Sequence, residues 1–173
     1  LRQADHLRGA AGRGVAVTEK NGRKLCVPCL QGRTFMPPLD CPFRTADAIL
    51  ADCAVPSVFV DIHAEATAEK RALGVYLDGR VAAIVGTHTH VQTADEEIMP
   101  GGTAFLSDAG MTGGHGGIIG MSADSVMPKF LMGTPSRFEV CEERVRFQGV
   151  VVEIDGETGR ALDIARVNIP AED

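Results

Sequence analysis

Two apolar runs that each end in histidine constrain this chain most. Val58-Phe59-Val60-Asp61-Ile62 runs into His63, and Val81-Ala82-Ala83-Ile84-Val85 runs into Gly86-Thr87-His88-Thr89-His90. Runs this short and this apolar read as strands buried on both faces. Between them, residues 65–77 carry Ala66, Leu73 and Leu77 along one stripe, which reads as a helix ended by Asp78-Gly79. Strand, helix, strand with a single crossover is a parallel unit, and such crossovers are right-handed. Both strands then point the same way and deliver their histidines to one carboxyl edge, where open α/β sheets place ligands.

The rest of the chain reads as further strands and turns. Residues 1–13 lack periodicity and read as a loop. Residues 15–18 and 24–30 read as a hairpin across Asn21-Gly22, whose residues tolerate positive φ. Pro28 places the second strand at an edge or a bulge, because proline donates nothing to the ladder. A proline-rich loop over residues 31–44 leads to a helix over 46–53, capped by Thr45. Residues 103–106 form a strand and residues 110–120 are glycine-rich. Ser122 caps a helix through residue 132, with Pro128 as its weak point. Residues 138–142, 146–154 and 161–169 read as antiparallel strands. No repeat or boundary interrupts the sequence, so residues 1–173 are read as a single α/β domain.

Composition narrows the partners. Aromatic residues make up 5% of the chain, so the core must rest on Val, Ile, Leu and Ala. The formal net charge of −6 argues against bulk nucleic-acid binding, which needs a basic surface. It leaves room for one small phosphate ester at a metal pocket, where a bound cation sets the local charge. Five widely spaced cysteines, an odd number, favour a reducing cytoplasmic compartment and free thiols. No apolar run approaches the ~20 residues of a membrane helix. The start, Leu1-Arg2-Gln3-Ala4-Asp5-His6, has neither an initiator Met nor a strand-like pattern, and the domain is read as N-terminally incomplete.

His63, His88 and His90 are the candidate metal ligands. In an extended chain, His88 and His90 project from one face with alpha carbons ~6–7 Å apart. That spacing suits two cations ~3.5–4 Å apart, each taking one imidazole. Imidazole is a ligand for Zn, Fe, Ni and Cu and is found with Mn. Three histidines do not complete a two-metal site, so carboxylates or amides must contribute. Asp61 is placed to fix a histidine tautomer or to cap backbone. Asp108 follows a strand and is a candidate support for the ligands. Asp95, Glu96 and Glu97 read as a solvated loop face, His115 as an exposed loop residue and His6 as a surface residue. Cys26 and Cys29 have a redox or zinc spacing but lie within a strand and lack a second pair, so they read as structural. The glycine-rich stretch lacks a Gly-Lys-Ser/Thr ending and is no phosphate loop.

At these residues the sequence resembles the YmdB-like metallophosphoesterases. The resemblance is carried by Val60-Asp61-Ile62-His63-Ala64-Glu65-Ala66-Thr67-Ala68-Glu69-Lys70 and by Val85-Gly86-Thr87-His88-Thr89-His90-Val91-Gln92-Thr93-Ala94-Asp95. Phe35-Met36-Pro37-Pro38-Leu39-Asp40, Pro42-Phe43-Arg44-Thr45-Ala46-Asp47 and Gly110-Met111-Thr112-Gly113 extend it over most of the chain. It implies a calcineurin-like metallophosphoesterase sandwich, two sheets flanked by helices, of which this chain is the C-terminal portion. It implies two divalent metal ions (Fe, Mn, Mg or Zn) and hydrolysis of phosphodiesters, notably 2′,3′-cyclic nucleotides. Carried over, His63 and His88 bind one ion and His90 the other. Family members open with Gly-Asp, Gly-Glu-Asn and Asn-His motifs that supply an Asp, a bridging Glu, an Asn ligand and the general-acid His. None of these occurs here. The chain is therefore expected to carry the histidine half of a dinuclear centre and to be inactive, or nearly so, alone. The expected partner is a small phosphodiester, with no membrane, and self-association into a homo-oligomer is left open. A mononuclear three-histidine zinc hydrolase and a non-catalytic scaffold are the competing readings.

Overall fold

The two histidine-terminated runs pair as neighbours because each is apolar enough to be covered on both faces. A computed structural model describes residues 3–4 and 12–171 of the chain. The elements in order are β1 (Val15–Lys20), β2 (Arg23–Gln31), α1 (Pro42–Asp52), β3 (Ser57–His63), α2 (Thr67–Leu77) and β4 (Ala83–Thr87). There follow β5 (Glu97–Ile98), β6 (Ala104–Leu106), β7 (Gly113–Gly114), α3 (Ala123–Met132), β8 (Val145–Ile154) and β9 (Ala161–Pro170). One sheet has six strands in the order β1-β2-β3-β4-β6-β5, and the other has three in the order β7-β8-β9. β2, β3, β4 and β6 run parallel, and β1 and β5 pair antiparallel at the two edges.

Alternation along the central strands sorts side chains into two layers. Val58, Val60, Ile62, Ile84 and Phe105 pack with Leu73 and Leu77 of α2 and Ala46 of α1. Phe59, Ala83 and Ala104 face the other way and meet Val152, Ala161 and Ile164 of the three-stranded sheet. Each fully buried Leu, Ile, Val or Phe stabilises the fold by about 1.5–3 kcal/mol. The small Ala83–Ala104 face lets β9 lie close. The result is the two-sheet α/β sandwich with flanking helices that the resemblance implies. Among the described residues no helix is long and apolar enough to cross a membrane.

Several local expectations are corrected. Pro28 sits in β2, an interior strand rather than an edge. The ladder to β3 joins Leu25–Cys26 and Cys29–Gln31 and skips Val27 and Pro28, so the missing donor falls in a gap. α1 begins four residues before the expected start, at Pro42, because proline's fixed φ suits the first helical position. α2 begins at Thr67, two residues after its expected start. Ser122 stands at the start of α3, yet its side chain makes no capping bond. Residues 138–142 form no strand; only Val140 bridges, to Met121, while Gly113–Gly114 takes the place beside β8. His6 and most of the expected N-terminal loop lie outside the described residues.

Candidate metal centre

Register delivers the first two histidines. β3 pairs with β4 so that His63 lies opposite Thr87, and His88 follows at once. The two rings meet edge to face, with centroids 4.7 Å apart and planes at 86°. His63 Nε2 and His88 Nδ1 are 3.0 Å apart.

The partner on the far side of the His63 ring fixes its proton. Glu65 Oε2 lies 3.0 Å from His88 Nε2, within ion-pair reach. Thr87 Oγ1 donates its one proton to Asp61 Oδ1 at 2.9 Å. It therefore accepts from His63 Nδ1 at 3.2 Å. His63 Nε2 is then a lone pair, within hydrogen-bond reach of His88 Nδ1 at 3.0 Å. Burial, and after it the neighbouring His88, pushes the His63 pKa below the usual histidine range, which favours the neutral ligand form. Two nitrogens each ~2.1 Å from one ion, at right angles, lie about 3.0 Å apart. The donor set therefore fits a divalent ion held by His63 and His88. Glu65 and the Thr87–Asp61 relay set ring orientation from behind, as carboxylate–histidine–metal arrangements do.

His90 does not join them. His88 and His90 have φ of +103° and +66°, left-handed values that few non-glycine residues adopt. The extended geometry expected of His88-Thr89-His90 is thus replaced by a strained bend. His90 Nδ1 lies 2.9 Å from the carbonyl oxygen of Ile119. Among the described residues no three His, Cys, Asp or Glu side chains gather as a metal-holding group, which leaves the three-histidine zinc reading without support.

A buried ion pair holds this bend. Lys70 Nζ and Asp108 Oδ2 are 2.9 Å apart, with side chains 2% and 1% exposed. Asp108 Oδ2 also accepts from the Thr89 backbone N–H at 3.0 Å and the Thr89 hydroxyl at 2.8 Å. Its Oδ1 accepts from the Gly110 N–H at 3.0 Å. Lys70 reaches Asp108 past Gly86, where a Cβ would stand 1.7 Å from the Ser107 carbonyl oxygen and 2.9 Å from Lys70 Cδ. Asp108, expected as a support for the ligands, supports Thr89, the residue between the two histidines. Lys70 and Glu65 escape the sequence reading. A signal for Lys70 exists: it falls on the Ala66–Leu73–Leu77 stripe, where a charge must find a buried partner.

The other candidates take different places. Asp95 lies exposed, as expected, while Glu96 and Glu97 are part-buried, and all three are tied down. Asp95 holds the Ser107 hydroxyl and N–H, Glu96 pairs with Arg166 at 2.7 Å, and Glu97 pairs with Arg71, because this loop folds back onto β6 and β9. Cys29 Sγ lies 3.5 Å from Asp61 Oδ2, and no disulfide joins any of the five cysteines. His115 is part-buried rather than exposed. Its Nδ1 lies 3.0 Å from the Gly113 carbonyl oxygen, and its Nε2 is buried with no partner.

The chain is similar to known proteins along nearly its whole length. The model of a family described as YmdB-like protein matches residues 1–167. The 2′,3′-cyclic-nucleotide 2′-phosphodiesterase of Bacillus subtilis (strain 168) is 49% identical over 171 residues, which is 98% of this chain and 65% of the relative. The chain thus spans just under two-thirds of that relative's length. The crystal structure of a hypothetical protein from Thermus thermophilus superposes with a TM-score of 0.95 at 38% identity, over 99% of this chain and 68% of that one. The crystal structure of a novel phosphatase from Mycoplasma pneumoniae superposes with a TM-score of 0.91 at 32% identity, over 100% of this chain and 64% of that one.

Proposed function

This chain belongs to the YmdB-like protein family, and from that premise we propose that it forms the histidine half of a dinuclear metallophosphoesterase centre. The reaction is hydrolysis of a phosphodiester, with 2′,3′-cyclic nucleotides as the substrate class. The Bacillus subtilis relative's name supports that class. The observation that carries the reading is the meeting of the His63 and His88 rings at one strand edge, with Nε2 and Nδ1 3.0 Å apart.

In this reading His63 and His88 hold one divalent ion and His90 helps to hold the second. The remaining donors come from outside these 173 residues. Bound divalent ions supply Lewis acidity toward the phosphoryl oxygens and lower the pKa of water to near neutrality. The chain's own residues position and exclude. Asp61, through Thr87, keeps the proton on His63 Nδ1, and Glu65 lies 3.0 Å from His88 Nε2. Lys70 and Asp108 hold Thr89, and with it the bend that separates His90 from the other two rings. Five thiols with no disulfide among them accord with a cytoplasmic setting.

Titration calorimetry with Mn²⁺ tests the metal half of the reading. The wild-type chain is expected to bind Mn²⁺, and His63→Ala and His88→Ala each to lose at least about tenfold in affinity. Hydrolysis of bis(p-nitrophenyl) phosphate with Mn²⁺ tests the chemistry on the longest natural form of the protein. Mn²⁺ affinity indifferent to both substitutions would refute the assignment.

A further inference from the structure

The turn that follows β2 displays an aromatic ring that the fold does not bury. Phe35 is 88% exposed, the highest value of any large apolar side chain among the described residues. The Met36 N–H donates to the Arg33 carbonyl at 3.3 Å, which closes a turn with Phe35 at its third position. Phe35 has φ of +62° and Thr34 is not left-handed, the pattern of a type II turn, whose third residue is normally glycine. A bulky side chain there is strained. Strain of this kind persists where the surroundings impose it, and it concentrates at ligand sites.

The surroundings impose it here. The Glu69 carboxylate accepts the N–H groups of Arg33 and Thr34, each at 3.0 Å. The Gln31 amide donates to the Pro37 carbonyl at 3.4 Å, and Met36 packs against the helix-side core. Phe35 stays outside: among the described residues no aromatic ring and no cation stacks on it. The turn also leaves the sheet beside the candidate metal centre. Gln31 lies opposite His63 in the ladder, and the Gly32 N–H donates to the His63 carbonyl at 2.9 Å. A Cβ on Gly32 would stand 2.6 Å from Ala64 Cβ, so the chain just past β2 touches the chain just past β3. Phe35 is three residues on, hence within about 11 Å of Gly32 along the chain.

We propose that Phe35 is a substrate-binding residue whose ring stacks on the nucleobase of a cyclic nucleotide with its phosphate at the histidines. The proposal rests on the phosphodiesterase reading above and deepens it. A stacked base is held by its π-face, so the contact adds affinity for nucleotides as a class without choosing among bases. A rigid turn keeps the ring from collapsing onto the protein, so little ordering is lost on binding.

The test compares adenosine 2′,3′-cyclic phosphate with ethylene phosphate, a five-membered cyclic diester with no base, in the longest natural form of the protein with Mn²⁺. Phe35→Gly is expected to raise KM for the nucleotide about tenfold, with its kcat and the ethylene phosphate kcat/KM within about twofold of wild type. Its urea midpoint is expected to hold or rise, because glycine suits the turn. Phe35→Trp keeps a stacking face and is expected to keep the wild-type KM to within about threefold. An unchanged nucleotide KM in Phe35→Gly would show an idle ring, and equal losses on both substrates a merely structural one; each overturns the proposal. Wild-type protein inactive on both substrates would instead defeat the phosphodiesterase reading. Stacking is then read directly: the fluorescence that Phe35→Trp adds over wild type is expected to be quenched by adenosine, and an unquenched signal overturns the proposal.

Discussion

Asp108 accepts four hydrogen bonds, from Lys70, twice from Thr89, and from Gly110. Removing Lys70's charge leaves that carboxylate buried without its counter-ion. Lys70→Met is expected to destabilise the fold by about 3–5 kcal/mol in urea unfolding, and Lys70→Met with Asp108→Asn by less. Asp95 makes a second test. Burial raises its pKa, but the Ser107 and Thr93 hydroxyls and the Ser107 N–H outweigh that and hold it below the ordinary carboxylate value. A depressed folded-state pKa contributes stability above the unfolded value, near pH 4, that is lost as pH falls through the folded one. Asp95→Asn is therefore expected to flatten the fall in stability below about pH 4, followed as the urea midpoint against pH.

At the scale of elements, the parallel β3–α2–β4 unit is legible in the sequence because apolar continuity and one stripe of small and large aliphatics admit few alternatives. The bend after β4 is not. Local sequence allows His88-Thr89-His90 to extend, and Asp108, 19 residues on from Thr89, holds it otherwise. Residues 138–142 mislead for a related reason: their alternation is real, but Gly113–Gly114 occupies the place beside β8. His115 misleads because its backbone is bonded to Arg144, and that of Gly116 to Glu143, just before β8, which no local pattern reveals. α3 offers an element-scale prediction. Pro128 lies inside the helix and removes an N–H from its ladder. Pro128→Ala is expected to stabilise the protein by about 1–3 kcal/mol, read as a rise in the urea midpoint at constant slope.

Across the whole molecule, helices cover one face of the six-stranded sheet and the three-stranded sheet covers the other. Such a layered body gains stability from any ligand that binds only the folded form. Mn²⁺ at about 100 times its Kd is expected to add ~2.7 kcal/mol, or roughly 5–10 °C in Tm. Chelation should reverse the gain, and His88→Ala should cut it by about half or more at the same Mn²⁺ concentration in a thermal scan.

Gly86 lies within β4, where its hydrogen faces both a carbonyl oxygen and a lysine stem. Position 86 is accordingly a keyhole for the whole assembly. A saturation library selected only for soluble expression should return glycine there and nothing larger, alanine included. Tolerance to mutation would then be lowest not where the chemistry is done but just behind it.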